Sequence, residues 1–446
     1  MAKRSPSSRG EIAAKIYEAG VVGAGGAGFP THIKAQSRAE IVIANGCECE
    51  PLVRSDKYVL QAYPEEVLEG LRAMLLATGA SRGIIGVRRS QHEIIETLRK
   101  MIGRSAGIEV AEVLDNYPAG DEHPLVYELT GRAIPQGGIP PQVGVVVSNV
   151  GTLRNVQRAL AGTPVTTRIV SVCGDVPGPV VVEVPLGTTV RDVLRLTRNL
   201  EGIESKTVLL SGIMMGEVCT DLERPVDKRI GAIIALPTGN EVIIRKTLPM
   251  EQIVRRAASV CCQCTFCTEL CPRHLMGHAI TPHKIMRSVG WTRVFTPDIA
   301  GALYCSGCGL CGVYVCPMLL SPDRISFRVR GEMASRGIKV TQDNLPGVEM
   351  VRPHRLVPHK RILEKTGTVA YDRDLAFGGV LEPAQVSVPL LQHAGVAAEP
   401  TVRVGSAVRA GQVIADVAEG KTGAKVHASI EGVVARIDRA IVIERR

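Results

Sequence analysis

The sequence predicts a multidomain α/β and α+β chain. Three observations carry that prediction: the length, a change of hydrophobic period along the chain, and the crowding of the cysteines. At 446 residues the chain has room for roughly three or four domains of ordinary size. Its first third alternates helical spacing with short apolar runs, and residues 165–245 are a succession of short β-type runs. Nine of its thirteen cysteines then fall between Cys261 and Cys316. No apolar run reaches the roughly 20 residues that span a bilayer. The start, MAKRSPSSRGE, has no apolar core behind its basic residues, so a cytoplasmic chain without a secretory signal or membrane insertion is expected. The net charge of +9 is dispersed and aromatics are 3%, which argues against a nucleic-acid partner. The most basic stretch, VRPHRLVPHKRILEK at 351–365, lacks a stacking aromatic and reads as a solvated face or linker.

Taken in order, GEIAAKIYEAG has Ile12, Ala13, Ile16 and Tyr17 at helical spacing and closes on Gly20. GAGGAGFPTHIK follows, with a formal G-x-G-x-x-G at Gly23, Gly25 and Gly28. A dinucleotide loop must leave a strand and open a helix. Here a helix precedes, Pro30 interrupts, and the apolar run EIVIANG reads as the next strand. What remains is a glycine run that lets backbone approach something flat or anionic, followed by Lys34. After the strand end at Asn45 come Glu48 and Glu50, placed either to face a ligand beyond the strand or to form an acidic turn. Asp121, Glu122 and His123 read as a loop beside Pro118 and Gly120, either touching a nucleotide or solvated. SNVGTLRNVQRAL passes from loop to helix, so its first amides are donors for a phosphate.

The cysteines form two runs. The first is Cys261-x2-Cys264-x2-Cys267-x3-Cys271-Pro272, the bacterial ferredoxin spacing, in which the fourth thiolate reaches the neighbouring cube. The second is Cys305-x2-Cys308-x2-Cys311-x4-Cys316-Pro317, with one extra residue that a helical turn or bulge would absorb. A lone CxxC would fit structural zinc, but two complete runs closed by proline point to two [4Fe-4S] clusters. The expected sets are Cys261, Cys264, Cys267 and Cys316 on one cube, and Cys305, Cys308, Cys311 and Cys271 on the other. Cys262 lies outside the spacing as a buried or spare thiol, and Cys173 and Cys219 read as small core residues. Met214 and Met215, beside glycines in SGIMMGEV, read as a packed turn. Clusters move single electrons, and the natural converter from a hydride is a flavin.

Together GAGGAGFPTHIK, ANGCECEPLVRSDK and YPAGDEHPLVYELTGRAIPQGGIPPQVGVVVSNVGT resemble the flavin and NADH-binding subunit of respiratory complex I. They are still more similar to the RnfC-type subunits of ferredoxin:NAD oxidoreductases. The resemblance spans nearly the whole chain. It implies FMN held by Gly23, Gly25, Gly26, Gly28, Lys34, Asn45, Asn149 and Thr152, with Glu48 and Glu50 as catalytic residues near the nicotinamide of NADH. Cys47 stands where the complex I pattern has aspartate. The resemblance further implies a complex I flavin-subunit-like α/β domain (1–162), a β-grasp domain (163–248), a helical ferredoxin-like domain with two [4Fe-4S] clusters (249–330), and a linker with a barrel-sandwich hybrid (331–446).

That last module carries Gly405-x2-Val408-x2-Gly411-x2-Ile414-Ala415 and resembles biotinyl and lipoyl domains. The matching tip, Val426-His-Ala-Ser-Ile430, has no lysine, so a swinging-arm carrier is not expected. RnfC-type subunits place this module first and this chain places it last, an order similar to the cobalamin reductase family of propanediol-utilization microcompartments. That similarity implies NADH and cobalamin as substrates, an adenosyltransferase and shell proteins as partners, and residence in or on the microcompartment. The alternatives are an electron-transfer subunit of an RnfC-type complex, a soluble reductase for another acceptor, and a relay without flavin turnover.

Overall fold

The computed structural model describes residues 8–103, 107–197, 202–291, 296–339 and 347–445. The first unit is a parallel sheet of β1 (Ile41–Gly46), β2 (Arg82–Arg88), β3 (Ile108–Val113) and β5 (Val145–Asn149), in the order β3-β2-β1-β5. A two-residue strand, β4 (Asn116–Tyr117), lies outside it. Helices α1 (Arg9–Glu18), α2 (Thr31–Gln36), α3 (Ser55–Ala62), α4 (Pro64–Thr78), α5 (His92–Ile102), α6 (Glu122–Thr130) and α7 (Val150–Leu160) connect the strands. On one face Ile12, Ile16, Leu71, Met74 and Leu153 bury together, as the helical period of their segments requires. Gly70 brings α4 onto α7, because a Cβ there would lie 2.0 Å from the Leu153 carbonyl oxygen.

Two local expectations are corrected. The glycine loop does not pass straight into a strand: Pro30, at φ −59°, caps the short α2, since its fixed φ suits a helix start. Asp121 is not in an open loop but caps α6, its Oδ1 accepting the His123 N–H at 3.0 Å.

Next comes a sheet of β6 (Thr167–Gly174), β7 (Val180–Pro185), β8 (Lys206–Leu210), β9 (Glu217–Cys219) and β10 (Ala232–Pro237), ordered β7-β6-β10-β8-β9 with β10 parallel to β6. A hairpin followed by a last strand inserted beside its first is the β-grasp arrangement. The C-terminal stretch contributes to both units. Val357–Pro358 (β11) pairs with β4, and Ala376–Val380 (β12) adds to the β7 edge in parallel. The basic stretch at 351–365 is therefore not a linker, though it does present a solvated face, with His354, Lys360, Arg361 and Lys365 exposed. Arg352 is buried with Nη1 2.6 Å from Glu128, and His359–Thr366 is a helix.

The cysteine-rich unit packs the helices Met250–Val260, Pro282–Trp291 and Pro322–Ser335 around Ile253, Ile285, Ile325 and Met333. No helix among the described residues is long and apolar enough to cross a membrane. The last unit has two small antiparallel sheets. One holds β13 (Gln385–Pro389), β15 (Ala407–Val408), β18 (Gly432–Ile437) and β19 (Ala440–Glu444), and the other β14 (Glu399–Pro400), β16 (Val413–Asp416) and β17 (Val426–His427). Residues 426–430 are buried in its core and do not form an exposed tip.

This module is seated on the glycine loop. The Ala394 N–H donates to Gly28 O at 2.9 Å, and Tyr17 donates to Asp416 Oδ1 at 2.7 Å. Buried Lys228 donates to Gly20 O at 2.7 Å and Lys425 O at 3.0 Å. Burial pushes Lys228 from 10.5 down to about 7. Between those values the unfolded chain holds the extra proton, so this group makes stability rise with pH across the window. Lys228→Met is expected to flatten the rise of Tm between about pH 7 and pH 10. An unchanged slope in melting curves across that range would contradict the buried seat.

Candidate flavin and iron–sulfur sites

Beyond the ends of β1 and β5 lies a cavity of about 330 Å³. It is lined by the glycine loop, Thr31, Lys34, Asn45, Glu48, Ser148, Asn149, Thr152 and Arg168. The loop closes on itself through the Gly23 N–H to Phe29 O bond of 2.9 Å. Gly26 and Gly28 sit at φ +102° and +64°, where a side chain is disfavoured, and a Cβ on Gly26 would meet nothing within 4 Å. Gly23 and Gly25 have only ordinary clearances. The loop is held from both sides: the Ala24 N–H donates to Thr152 Oγ1 at 2.8 Å, and Arg168 Nη2 donates to Ala24 O at 2.5 Å.

Lys34 Nζ donates to Val147 O at 2.8 Å and to Glu122 Oε1 at 3.2 Å, which fixes a cation at the cavity wall. Asn149 caps α7 with Oδ1 accepting the Gly151 N–H at 2.8 Å, and its Nδ2 donates to Asp56 at 2.6 Å. Asn45 instead turns into the protein, donating to Gly120 O at 3.0 Å and accepting the Cys47 N–H at 3.0 Å. The side chain of Asn45 thus shapes the cavity floor. Two buried hydroxyls on the wall, Thr31 Oγ1 and Ser148 Oγ, have no partner within the protein. Unpaired hydroxyls, exposed loop amides, a cation and a helix start together fit a flat, phosphate-bearing flavin.

The two carboxylates diverge. Glu48 accepts from Ser55 Oγ at 2.9 Å and the Asp56 N–H at 3.1 Å, at the start of α3. Burial, then the neighbouring Asp56 carboxylate, push Glu48 up to about 8, and burial pushes Asp56 up to about 6. Glu48 also borders a second cavity of about 440 Å³ with Arg54, Lys57, Arg88 and the first turn of α5. Glu50 accepts the N–H groups of Met214 at 3.0 Å and Met215 at 2.6 Å, fastening the flavin unit to the β-grasp unit. Cys47 is buried, and burial raises its thiol far above the usual range.

The structure brings the cysteines of the two runs together crosswise. Burial pushes Cys267 up to about 12, and its neighbouring thiols are Cys316, Cys264 and Cys261. Burial pushes Cys271 up to about 11, with Cys305 beside it, and Cys308 and Cys311 feel both Cys271 and Cys305. Two groups of four soft thiols, deprotonated when iron binds, fit two cubes. The loops repeat one backbone: φ is positive at Gln263 and Thr265 in the first and at Gly307 and Gly309 in the second. They differ where the spacing differs. The first continues as an α-turn, Phe266–Glu269, whereas the second forms a π-helix, Leu310–Val315, with the Cys316 N–H donating to Cys311 O at 3.2 Å. The extra residue is taken up by that wider turn. Cys262 is exposed, so it is spare and not buried.

The flavin cavity and the second run share a core through Cys49, Tyr117, Met214 and Cys308. Tyr117 donates to Cys308 O at 2.5 Å. Sequence reasoning missed Thr31, Ser148, Asp56 and Arg168 as cavity residues. Asp56 and Ser148 stand within segments that carried the resemblance, and Arg168 arrives from a strand more than a hundred residues away.

Comparison with known proteins agrees with this geometry. Residues 16–158 match the Nuo51 FMN-binding domain, residues 260–321 a 4Fe-4S dicluster domain, and residues 372–446 the RnfC barrel sandwich hybrid domain. A cobalamin reductase, PduS, of Salmonella typhimurium is 37% identical over 98% of this chain and 97% of that protein. A component of the Na(+)-translocating ferredoxin:NAD(+) oxidoreductase complex of Acetobacterium woodii is 32% identical over 58% of this chain and 57% of its own. An air-oxidized NAD+-reducing [NiFe]-hydrogenase chain shares the fold at a TM-score of 0.51 and 22% identity, covering 83% of this chain and 69% of that one. FMN and two [4Fe-4S] clusters are thus the cofactors, and the chain is an oxidoreductase. By near end-to-end kinship it belongs to the family of the cobalamin reductases named PduS.

Proposed function

We propose that the protein uses NADH to reduce cob(III)alamin and cob(II)alamin, recycling coenzyme B12 for propanediol utilization. The observation that carries this reading is colinearity with cobalamin reductases along essentially the full length of both chains. When bound, FMN converts a hydride into single electrons, which the clusters accept one at a time. The chain's own residues prepare for that. Gly26 and Gly28 let backbone reach the flavin, Lys34 sets positive charge beside it, and the α7 start with Asn149 and Ser148 takes its phosphate. Thr152 holds the loop. Glu48, shared by both cavities, stands at the nicotinamide, and the cations of the second cavity receive the rest of the dinucleotide. Glu50 is a structural clamp in this reading. The eight cysteines ligate the clusters in the crossed sets, and the four segments 1–162, 163–248, 249–330 and 331–446 are the working domains, the last lending its strands at 357–358 and 376–380 to the first two.

An adenosyltransferase would consume the reduced corrinoid, and shell proteins of a microcompartment would hold the enzyme beside it. The test is anaerobic: protein loaded with iron, sulfide and FMN receives NADH and cob(III)alamin. Enzyme-dependent loss of the cob(III)alamin spectrum is expected. Flavin bleaching with a corrinoid spectrum that tracks the no-enzyme control would overturn cobalamin as the acceptor and favour transfer to another protein, as in RnfC-type complexes.

A further inference from the structure

Another cavity lies outside the flavin site. It is a groove of about 530 Å³ between the turn after β8, the second cysteine loop and the helix Pro322–Ser335. Met215 and Phe327, which both line it, are 50% and 47% exposed and offer it apolar surface. The floor is main chain. A Cβ on Gly307 would lie 2.1 Å from the Phe327 ring, and one on Gly312 would lie 2.0 Å from Asp323 Oδ1. The Phe327 ring and the Asp323 carboxylate therefore pack directly against the loop that carries Cys305, Cys308 and Cys311. Met215 lines the flavin cavity as well, so the groove borders both redox sites.

The polar lining selects the ligand. Lys246 donates to Met214 O at 3.0 Å and Gly216 O at 2.6 Å, and Arg324 donates to Arg245 O at 2.9 Å and Leu248 O at 2.8 Å. Arg245 and Arg328 are paired with Glu241 and Glu332. These cations already have partners within the protein. Asp323 Oδ1, by contrast, is buried with no partner. The groove thus suits a broad apolar ring whose rim supplies N–H donors.

We infer that this groove receives one edge of the corrin ring of cobalamin, its apolar face against Met215 and Phe327 and a rim carboxamide directed to Asp323. The inference rests on the proposed function and adds where the corrinoid lies. The test titrates aquocobalamin into the full-length, cofactor-loaded protein without NADH, with binding read from the corrinoid difference spectrum. Phe327→Ala and Met215→Gln each change a half-exposed side chain, and circular dichroism and iron content check that they fold. About tenfold weaker binding of aquocobalamin by both variants is expected. NADH bleaching of the flavin should be unchanged in Phe327→Ala. Wild-type affinity in both variants, or wild-type reduction of cobalamin without saturable binding, would overturn the groove and leave the reductase reading standing. Neither binding nor reduction by the wild type would overturn both.

Discussion

Cys308→Ala is expected to lose about half of the protein's iron while keeping FMN that NADH still bleaches. Cys308 is buried in the core shared with the flavin unit, beside Cys271 and Cys305, and alanine there leaves the proposed ligand set one thiolate short. Reduction of cobalamin should fall by about a hundredfold or more, a loss of roughly 2.7 kcal/mol or more in transition-state terms. Cys264→Ala removes a proposed ligand of the other group. It too should spare flavin reduction and slow the acceptor, with iron and acid-labile sulfide analysis separating the two losses. Full acceptor reduction in Cys264→Ala would take the first cysteine run off the route.

Glu50→Ala should act on stability. The carboxylate accepts two N–H groups from the turn that closes the β-grasp unit, and truncation leaves both buried donors unpaired. The expected cost is on the order of 3 kcal/mol. It should appear as a Tm drop of several degrees, because a chain of this size shifts by roughly 2–4 °C per kcal/mol or less. Glu50→Gln should recover only part, since its amide presents one acceptor and a repelling NH2. A normal Tm with a raised KM for NADH would return Glu50 to the nicotinamide site.

The sequence and the structure agree where chemistry is local. Cysteine spacing is a property of short loops, and both runs fold into loops of like backbone, even though a π-turn cannot be told from a bulge by counting residues. The glycine loop was visible for the same reason. Its sequel was not: Pro30 reads as a breaker when it in fact opens α2, and Asp121 reads as a turn residue when it caps α6. Nonlocal roles were hidden altogether. Nothing near Glu50 announces that its partners are the amides of Met214 and Met215. Arg168 and the strand at residues 376–380 gain their roles only when distant segments pair. The unpaired hydroxyls of Thr31 and Ser148 are a property of packing, and packing is read only from the fold.

The most direct test of the central claim resolves one turnover in time. Anaerobic protein carrying FMN and both clusters is mixed with NADH and cob(III)alamin, and spectra are followed from the first milliseconds. The account predicts that flavin and cluster absorbance bleach first and recover as cob(II)alamin appears, at a rate that scales with enzyme. Bleaching that persists while cob(III)alamin decays only at the no-enzyme rate would contradict it.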